Sequence, residues 1–369
     1  MTPEEVELLS QLTIVIPTYN RPLAIERSIE YWRDTPVTLH ILDGSDEAFF
    51  ADGLQAGTER IFYHSFPSNN ETATENWGRR LNFGTSLMKT KFSALCCDDD
   101  VFTLNGLIKA LNLIDGGIVD AVDGKTGEYL VGEKQINWIH KYPHWQDEPF
   151  RLSESVRERL FFDKGGHAFY AIFKSERLAS VHSISSSDDF PVPVWNSMVK
   201  IVTTRIFCRV KFIDDLFWLK CGVNYPEARP IKFAQLFWDE QFEEHKVKFL
   251  EIMAKALQVA EPMMTDTQRS DLVAAYASQF TRPKRSTKVE IRVKAGLLKI
   301  LGRFPESVRS VMFSALPESL RERIGSSEFQ VNYKPVVQLL PKDLRDESLV
   351  KWEKVLLMPR EELRLRANI

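Results

Sequence analysis

The sequence predicts an α/β protein with a mostly parallel sheet and helices on its faces. Apolar, β-branched runs alternate with helix-like segments along the first hundred residues, in the order strand, helix, strand, strand, helix, strand. Parallel strands need crossover connections, and in known proteins these are almost always right-handed. The four strand-like runs cover residues 12–17, 37–42, 60–64 and 92–97.

A change of character after residue 238 predicts two regions. The segments after this point are patterned as helices and are separated by prolines, whereas the strand-like runs come before it. A chain of 369 residues is long enough for one large domain and a smaller one. We expect an α/β domain over residues 1–238 and a mainly α-helical C-terminal region over 239–369.

Composition narrows the class of protein. The formal net charge of −3, with 44% hydrophobic and 27% charged residues, is ordinary for a soluble protein and argues against a dedicated nucleic-acid binder. Four cysteines without C-x-x-C spacing indicate buried apolar residues in a reducing compartment. The N-terminus lacks a signal-peptide pattern, and no apolar run reaches membrane-spanning length. We therefore expect a cytoplasmic protein.

Polar clusters follow three of the predicted strands. Thr-Tyr-Asn-Arg at 18–21 follows the first, Asp-Gly-Ser at 43–45 the second, and Asp-Asp-Asp at 98–100 the fourth. The carboxyl ends of parallel strands lie along one edge of the sheet, where ligands bind in open α/β folds. The sequence therefore predicts that these clusters converge on one site.

Three adjacent carboxylates after a buried strand repel one another strongly, and a divalent cation is the simplest way to stabilise them. Asp98 and Asp100 are separated by one residue, so both can turn toward the same ion. The alternative is an acidic turn that caps the helix predicted from Leu104, because Asp is common at helix N-termini.

The motifs together resemble a known family. Thr-Ile-Val-Ile-Pro-Thr-Tyr-Asn-Arg at 13–21, Asp-Gly-Ser at 43–45, Asn-Phe-Gly at 82–84 and the aspartates at 98–100 are similar to motifs of family 2 glycosyltransferases with the GT-A fold. The resemblance covers about residues 12–235 and is strongest over 12–102. It implies a Rossmann-like sheet, a nucleotide-sugar donor, Mn²⁺ or Mg²⁺, and inversion at the anomeric carbon.

The resemblance also assigns roles to residues. Asp43 would accept a hydrogen bond from the base, which suits the N3–H of uracil, and Arg79 suits a diphosphate. Asp98 and Asp100 would form the D-x-D motif that holds the metal, although all three positions are Asp and the acting pair stays open. The full set around the donor would be Pro17, Thr18, Asn20, Arg21, Asp43, Ser45, Arg79, Asn82, Asp98 and Asp99.

The family takes its catalytic base from an acidic pair before a helix, late in the catalytic domain. Asp189, with Asp188 as the neighbouring alternative, lies at about the right distance, and Asp215 is the fallback. The match departs from the family pattern because prolines at 191 and 193 follow the pair. The alternative role for both aspartates is to cap a helix.

Residues 282–303 form a strongly basic amphipathic segment, with eight Lys and Arg residues against one acid, Glu290. Such a helix can lie on an anionic membrane surface, here the inner face of the membrane. The alternative is a solvated basic face that packs on the catalytic domain.

The resemblance implies a hexosyltransferase-type glycosyltransferase. The donor would be a nucleotide-diphosphate sugar, with a UDP-sugar favoured, and the acceptor a hydroxyl of a glycan or glycolipid in surface polysaccharide biosynthesis. One alternative is a non-catalytic GT-A module used for binding or assembly. Another is a nucleotidyltransferase, although the loop after the first strand is not the Gly-rich loop that those enzymes carry.

Overall fold

A nine-stranded mixed sheet forms the centre of the described chain. The computed structural model describes residues 1–50, 59–67, 73–131, 136–140, 155–161, 170–184, 190, 193–221, 236–280 and 347–367. The strands are β1 (Leu12–Thr18), β2 (Thr38–Asp43), β3 (Ile61–Ser65), β4 (Phe92–Leu95), β5 (Val101–Phe102), β6 (Ala121–Val131), β7 (Ile136–His140), β8 (Ile172–Lys174) and β9 (Val210–Cys221).

The strand order is β3-β2-β1-β4-β8-β6-β9-β5, with β7 paired to β6. β1 pairs in parallel with β2 and β4, and β2 pairs in parallel with β3. This half contains the four strands expected from the sequence and confirms the predicted α/β class. Beyond β4 the β4–β8, β6–β8 and β5–β9 pairings are antiparallel, while β6–β9 is parallel.

Helices cover both faces of the sheet. The α-helices are α1 (Pro3–Ser10), α2 (Pro22–Trp32), α3 (Ala73–Leu87), α4 (Leu104–Asp115), α5 (Val156–Phe161), α6 (Ser175–Ile184), α7 (Pro193–Phe207), α8 (Glu243–Ala260), α9 (Asp266–Ala277), α10 (Glu347–Leu357) and α11 (Arg360–Ala367). One core cluster contains residues of α1, α2, α4, α10 and α11, and the other contains residues of α3 and of α5 to α9.

β1 shows why the sheet needs both layers. All seven of its residues are buried. Ile14 and Ile16 belong to the first core cluster, whereas Val15 belongs to the second, because successive side chains point to opposite faces of a strand. Because β1 is buried on both faces, its sequence is mostly apolar on both, as in other parallel sheets between helical layers.

The described residues after 239 are helical, as predicted, and they contact both layers. α8 packs on α7, and α10 and α11 pack on α2. None of the described helices is long and apolar enough to cross a membrane. The basic segment 282–303 lies outside the described residues, so its contact with a membrane stays a prediction, as does a domain boundary at 238.

Two histidines on neighbouring strands form a close pair. His40 Nδ1 of β2 lies 3.1 Å from His64 Nε2 of β3, and the ring of His40 stacks on Phe62. Burial, and then the charge of His64, lowers the pKa of His40 from 6.5 to about 4. His40 is therefore buried in its neutral form.

This lowered pKa predicts a pH-dependent stability. Between pH 4 and 6.5 the unfolded chain binds a proton at His40 that the folded chain does not. The free energy of unfolding is therefore highest, as far as His40 decides it, above about pH 6.5, and it decreases as the pH falls toward 4. We expect His40→Gln to reduce the rise in unfolding free energy across this range by on the order of 2–3 kcal/mol. Urea unfolding at several pH values measures it, and an unchanged slope would contradict the prediction.

Candidate active site

The acidic cluster lies in a short loop between β4 and β5. This acid loop, residues 96–100, begins where β4 ends and leads through β5 into α4. Asp98 and Asp100 are 5% and 3% exposed, and Asp99 is half-buried. Buried carboxylates need hydrogen-bond donors or opposite charges, so their partners define the site.

Asp98 is bound by the loop that follows β1. Its carboxylate accepts hydrogen bonds from Thr18 Oγ1 at 2.6 Å and from Arg21 Nη1 at 2.9 Å. The same Arg21 nitrogen lies 2.8 Å from Asp99 Oδ2. Burial raises the pKa of Asp98, and the bonds from Thr18 and Arg21 oppose that rise. Arg21 thus places one positive charge against two of the three carboxylates.

Asp100 is bound by β9. Its Oδ1 accepts a hydrogen bond from the backbone N–H of Cys221 at 2.8 Å. Burial, followed by the charge of Asp99, holds the pKa of Asp100 well above its usual range. Ligand atoms of Cys97, Asp99 and Asp100 all lie within 4.8 Å of one another.

These side chains fit a divalent cation. Carboxylate oxygens suit Mg²⁺ and Mn²⁺, and a dication would favour the ionised form of the buried carboxylates. The Cys97 sulfur suits softer ions. Its thiol is 2.7 Å from the hydroxyl of Tyr170, and burial raises its pKa. We therefore expect the two carboxylates to be the main donors.

Three hydroxyl groups hold the backbone of the acid loop and of β5. Ser28 Oγ donates to the carbonyl of Asp98 at 2.9 Å, and the hydroxyl of Tyr129 donates to the carbonyl of Asp99. The hydroxyl of Tyr31 donates to the carbonyl of Phe102 at 2.8 Å. The carbonyls around the carboxylates are therefore fixed by side chains of α2 and β6.

The loop after β1 is tied to the end of β2. Asn20 has φ +54°, a left-handed conformation that Asn tolerates better than most residues. Its backbone N–H donates to Ser45 Oγ at 2.8 Å. Pro17 is buried inside β1, opposite Leu42 of β2. The structure therefore brings the predicted donor residues of the first two strands together.

Asp43 is completely buried at the end of β2. Its Oδ1 accepts from the backbone N–H of Ser45 at 2.9 Å and from Ser45 Oγ at 2.5 Å, while Oδ2 accepts from the hydroxyl of Tyr63 at 2.5 Å. In the structure Asp43 orients Ser45, and the hydroxyl of Ser45 in turn accepts the hydrogen bond from the backbone N–H of Asn20. Direct contact of Asp43 with a base stays a prediction and requires one of these neighbours to move aside.

Arg80 belongs to the site, although the sequence motifs point to Arg79. It is 3% exposed, and its Nη1 donates to the carbonyls of Thr18 and Leu42. Burial lowers its pKa to about 10, and the charges of Asp43 and Asp98 oppose the decrease. Arg80 is therefore a buried cation between the ends of β1 and β2.

Two glycines in the sequence, Gly44 and Gly84, could have indicated that Arg80 lies in the site. A Cβ on Gly44 would lie 2.6 Å from Cζ of Arg80, and one on Gly84 would lie 2.8 Å from Val15 and Leu42. Gly84 marks the face of α3 that lies on the sheet, and Arg80 is one helical turn before it on that face.

Arg79 and Asn82 lie elsewhere on α3. Arg79 Nη2 donates to the carbonyl of Pro67 at 2.9 Å, and its guanidinium lies 5.4 Å from the ring centre of Phe66. Asn82 is exposed. The structure thus places Arg79 beside the segment after β3, and the diphosphate and nucleotide roles of both residues stay predictions.

The predicted catalytic bases, Asp188 and Asp189, lie outside the described residues. Asp215 is on β9, where it forms an ion pair with Lys109 of α4. Asp215, the fallback for the catalytic base, is therefore paired with a surface lysine. The identity of the base therefore stays a prediction.

Comparison with known proteins gives weak likenesses. No protein-family model matches the sequence, and the search of curated proteins found no match. A crystal structure of S. aureus TarS residues 1–349 aligns with a TM-score of 0.46 at 13% identity, covering 94% of this chain and 90% of that one. The same protein in complex with UDP-GlcNAc gives a TM-score of 0.46 at 12% identity and the same coverage. These values are too low to support an argument about activity.

The bonds to Asp43 predict the effect of Asp43→Asn. An amide presents an N–H₂ group toward one of three donors and loses the charge that strengthens the remaining bonds. We expect the unfolding free energy to fall by about 1–3 kcal/mol in urea unfolding. Tyr63→Phe, which removes one bond only, is expected to cost less, and equal losses would contradict this assignment.

Proposed function

We propose that this chain is a metal-dependent, inverting glycosyltransferase that uses a nucleotide-diphosphate sugar. The observation that carries the proposal is the joined site of β1 and β4, where Thr18 and Arg21 bind an acid loop that holds three adjacent aspartates. β1 and β4 are adjacent, and the strand order reverses between them. This crevice at the carboxyl ends of the strands is where open α/β sheets bind nucleotides.

Each part of the site has a proposed task. Asp99 and Asp100 hold Mn²⁺ or Mg²⁺, which is supported by their proximity, while the bonds of Asp98 to Thr18 and Arg21 give it an organising role. The D-x-D pair Asp98 and Asp100 is the alternative. The cation supplies stabilisation of the negative charge that develops on the leaving nucleoside diphosphate.

The donor pocket continues along the ends of β1 and β2. In this proposal the pocket is lined by Pro17, Asn20 and Ser45. Asp43 accepts a hydrogen bond from the base, and a UDP-sugar is the favoured donor. Arg79 and Asn82 contact the nucleotide. Thr18 and Arg21 contact the donor in addition to binding the acid loop.

Transfer also requires a base for the acceptor hydroxyl, whose pKa is too high for spontaneous ionisation. Asp189, with Asp188 as its neighbour, takes this proton during in-line attack at the anomeric carbon. The acceptor is a glycan or glycolipid hydroxyl in surface polysaccharide biosynthesis, and the basic segment 282–303 brings the enzyme to the inner face of the membrane.

A nucleotide-sugar screen tests the proposal as a whole. The full chain is incubated with UDP-, GDP- and other nucleotide sugars, each with Mn²⁺, and thermal stability and release of nucleoside diphosphate are measured. We expect a UDP-sugar to stabilise the fold and to be hydrolysed slowly without acceptor. Binding without turnover would indicate a non-catalytic module, and neither binding nor turnover would refute the proposal.

Asp100→Asn tests the metal role. Loss of a charged ligand is expected to weaken Mn²⁺-dependent binding of the nucleotide sugar by more than about tenfold in calorimetric titration. The matched control is Asp115→Asn, because Asp115 is an exposed aspartate that pairs with Lys91 outside the site. Unchanged donor affinity in Asp100→Asn would move the metal to Asp98 and Asp99.

Asp189→Asn tests the base. We expect donor affinity to be retained and the transfer rate to fall by about 10²–10⁴-fold, because the amide cannot accept the proton. Donor titration and single-turnover transfer are measured on the same preparation. Transfer at a near-normal rate would assign the base to Asp188 or Asp215.

A further inference from the structure

We propose that Trp352 of α10 is a positioning residue for the acid loop and acts through Tyr31 and Tyr129. The inference deepens the proposed function and rests on it, since the acid loop is the proposed cation site. The residue lies about 250 positions after this loop in the sequence and on the opposite side of the predicted boundary at 238.

Trp352 packs against both tyrosines with its ring nearly perpendicular to theirs. The centroid distances are 5.4 Å to Tyr31, with an interplanar angle of 81°, and 6.1 Å to Tyr129, with an angle of 83°. Trp352 is 1% exposed, and both tyrosines are also buried. Edge-to-face contacts of this kind restrict the rotation of a ring as well as burying it.

The hydroxyl of each tyrosine donates a hydrogen bond to a backbone carbonyl near the carboxylates. Tyr129 donates to the carbonyl of Asp99, and Tyr31 donates to that of Phe102, so the two bonds bracket Asp100. Hydroxyl hydrogen bonds are directional, and a ring that tilts moves its hydroxyl away from the carbonyl. Trp352 therefore fixes two rings whose hydroxyls fix the backbone on both sides of a proposed metal ligand.

α10 is itself held in register with the elements that flank the acid loop. Ser348 Oγ accepts a hydrogen bond from the backbone N–H of Leu104, the first residue of α4, at 2.9 Å. At the other end, the carbonyl of Leu356 accepts from Arg27 Nη2 of α2 at 2.8 Å. Trp352 lies between these two anchors, so its position is set relative to both helices.

The chemistry of the site explains why this support matters. A cation site needs its ligands within about 0.5 Å of their working positions, and this precision comes from the residues behind the ligands. Removal of residues that hold metal ligands in place typically weakens metal binding by about 10–100-fold. Loss of the two hydroxyl bonds would leave the carbonyls of Asp99 and Phe102 free to shift, and the carboxylate of Asp100 with them.

The test compares three variants of the full chain with the wild type. Trp352→Leu removes the ring, Trp352→Phe keeps an aromatic edge, and Phe249→Leu makes a matched change in the other core cluster. Mn²⁺ binding in the presence of UDP is measured by calorimetry, and stability is measured by urea unfolding. We expect Trp352→Leu to weaken Mn²⁺ binding about tenfold or more, Trp352→Phe to restore most of it, and Phe249→Leu to lose stability only.

The outcomes separate this inference from the proposed function. No Mn²⁺ binding by the wild type would refute the cation site and with it the inference. Wild-type affinity in Trp352→Leu, or an equal loss in Phe249→Leu, would refute the inference alone. If Trp352→Leu does not fold, the double variant Tyr31→Phe with Tyr129→Phe keeps the packing and removes both hydroxyls, and undiminished Mn²⁺ affinity in it would overturn the inference.

Discussion

The charge of the acid loop is the constraint on which the arrangement around it depends. Three adjacent carboxylates follow β4, and two parts of the fold stabilise them: the loop after β1 binds Asp98 and Asp99, and β9 binds Asp100. Thr18 and Arg21 reach Asp98 because β1 is the neighbour of β4, and the backbone of β9 reaches Asp100 because β9 pairs with β5. Arg21 pairs with two of the carboxylates, and burial raises the pKa of the third, so the fold compensates the cluster only in part and leaves carboxylate oxygens that suit a dication.

The parallel half of the sheet and its polar edge could be predicted because their signals are local. Each of the four strands is a short apolar run that ends at a turn or at polar residues, and the periodicity of α3 is that of a helix on a sheet. Local sequence signals could not show whether Arg79 or Arg80 enters the site. Neighbouring residues on a helix point about 100° apart, so only the packing of Gly84 against β1 and β2 decides which arginine enters the site.

The second half of the sheet was harder to predict for a specific reason. Asp214 and Asp215 interrupt an apolar pattern that otherwise reads as a strand or a helix. In the structure the pairing with β6 shifts register between Ile213 and Leu216, so both aspartates lie in a bulge, where Asp214 pairs with Lys125 and Asp215 pairs with Lys109. A bulge releases residues from the alternation of a strand, and a pattern based on alternation cannot detect it. Partners distant in sequence, such as Tyr63 for Asp43, carry no local signal either.

The C-terminal helices complete the layer behind the acid loop. Glu26 of α2 has a side chain only 2% exposed, and Arg360 and Arg364 of α11 supply its opposite charges. A buried carboxylate without such partners is strongly destabilising, so α2 depends on α11 for its charge balance. α2 in turn carries Ser28 and Tyr31, whose hydroxyls hold the carbonyls of Asp98 and Phe102. The packing that supports the site therefore includes helices from beyond residue 238, where the domain boundary stays a prediction.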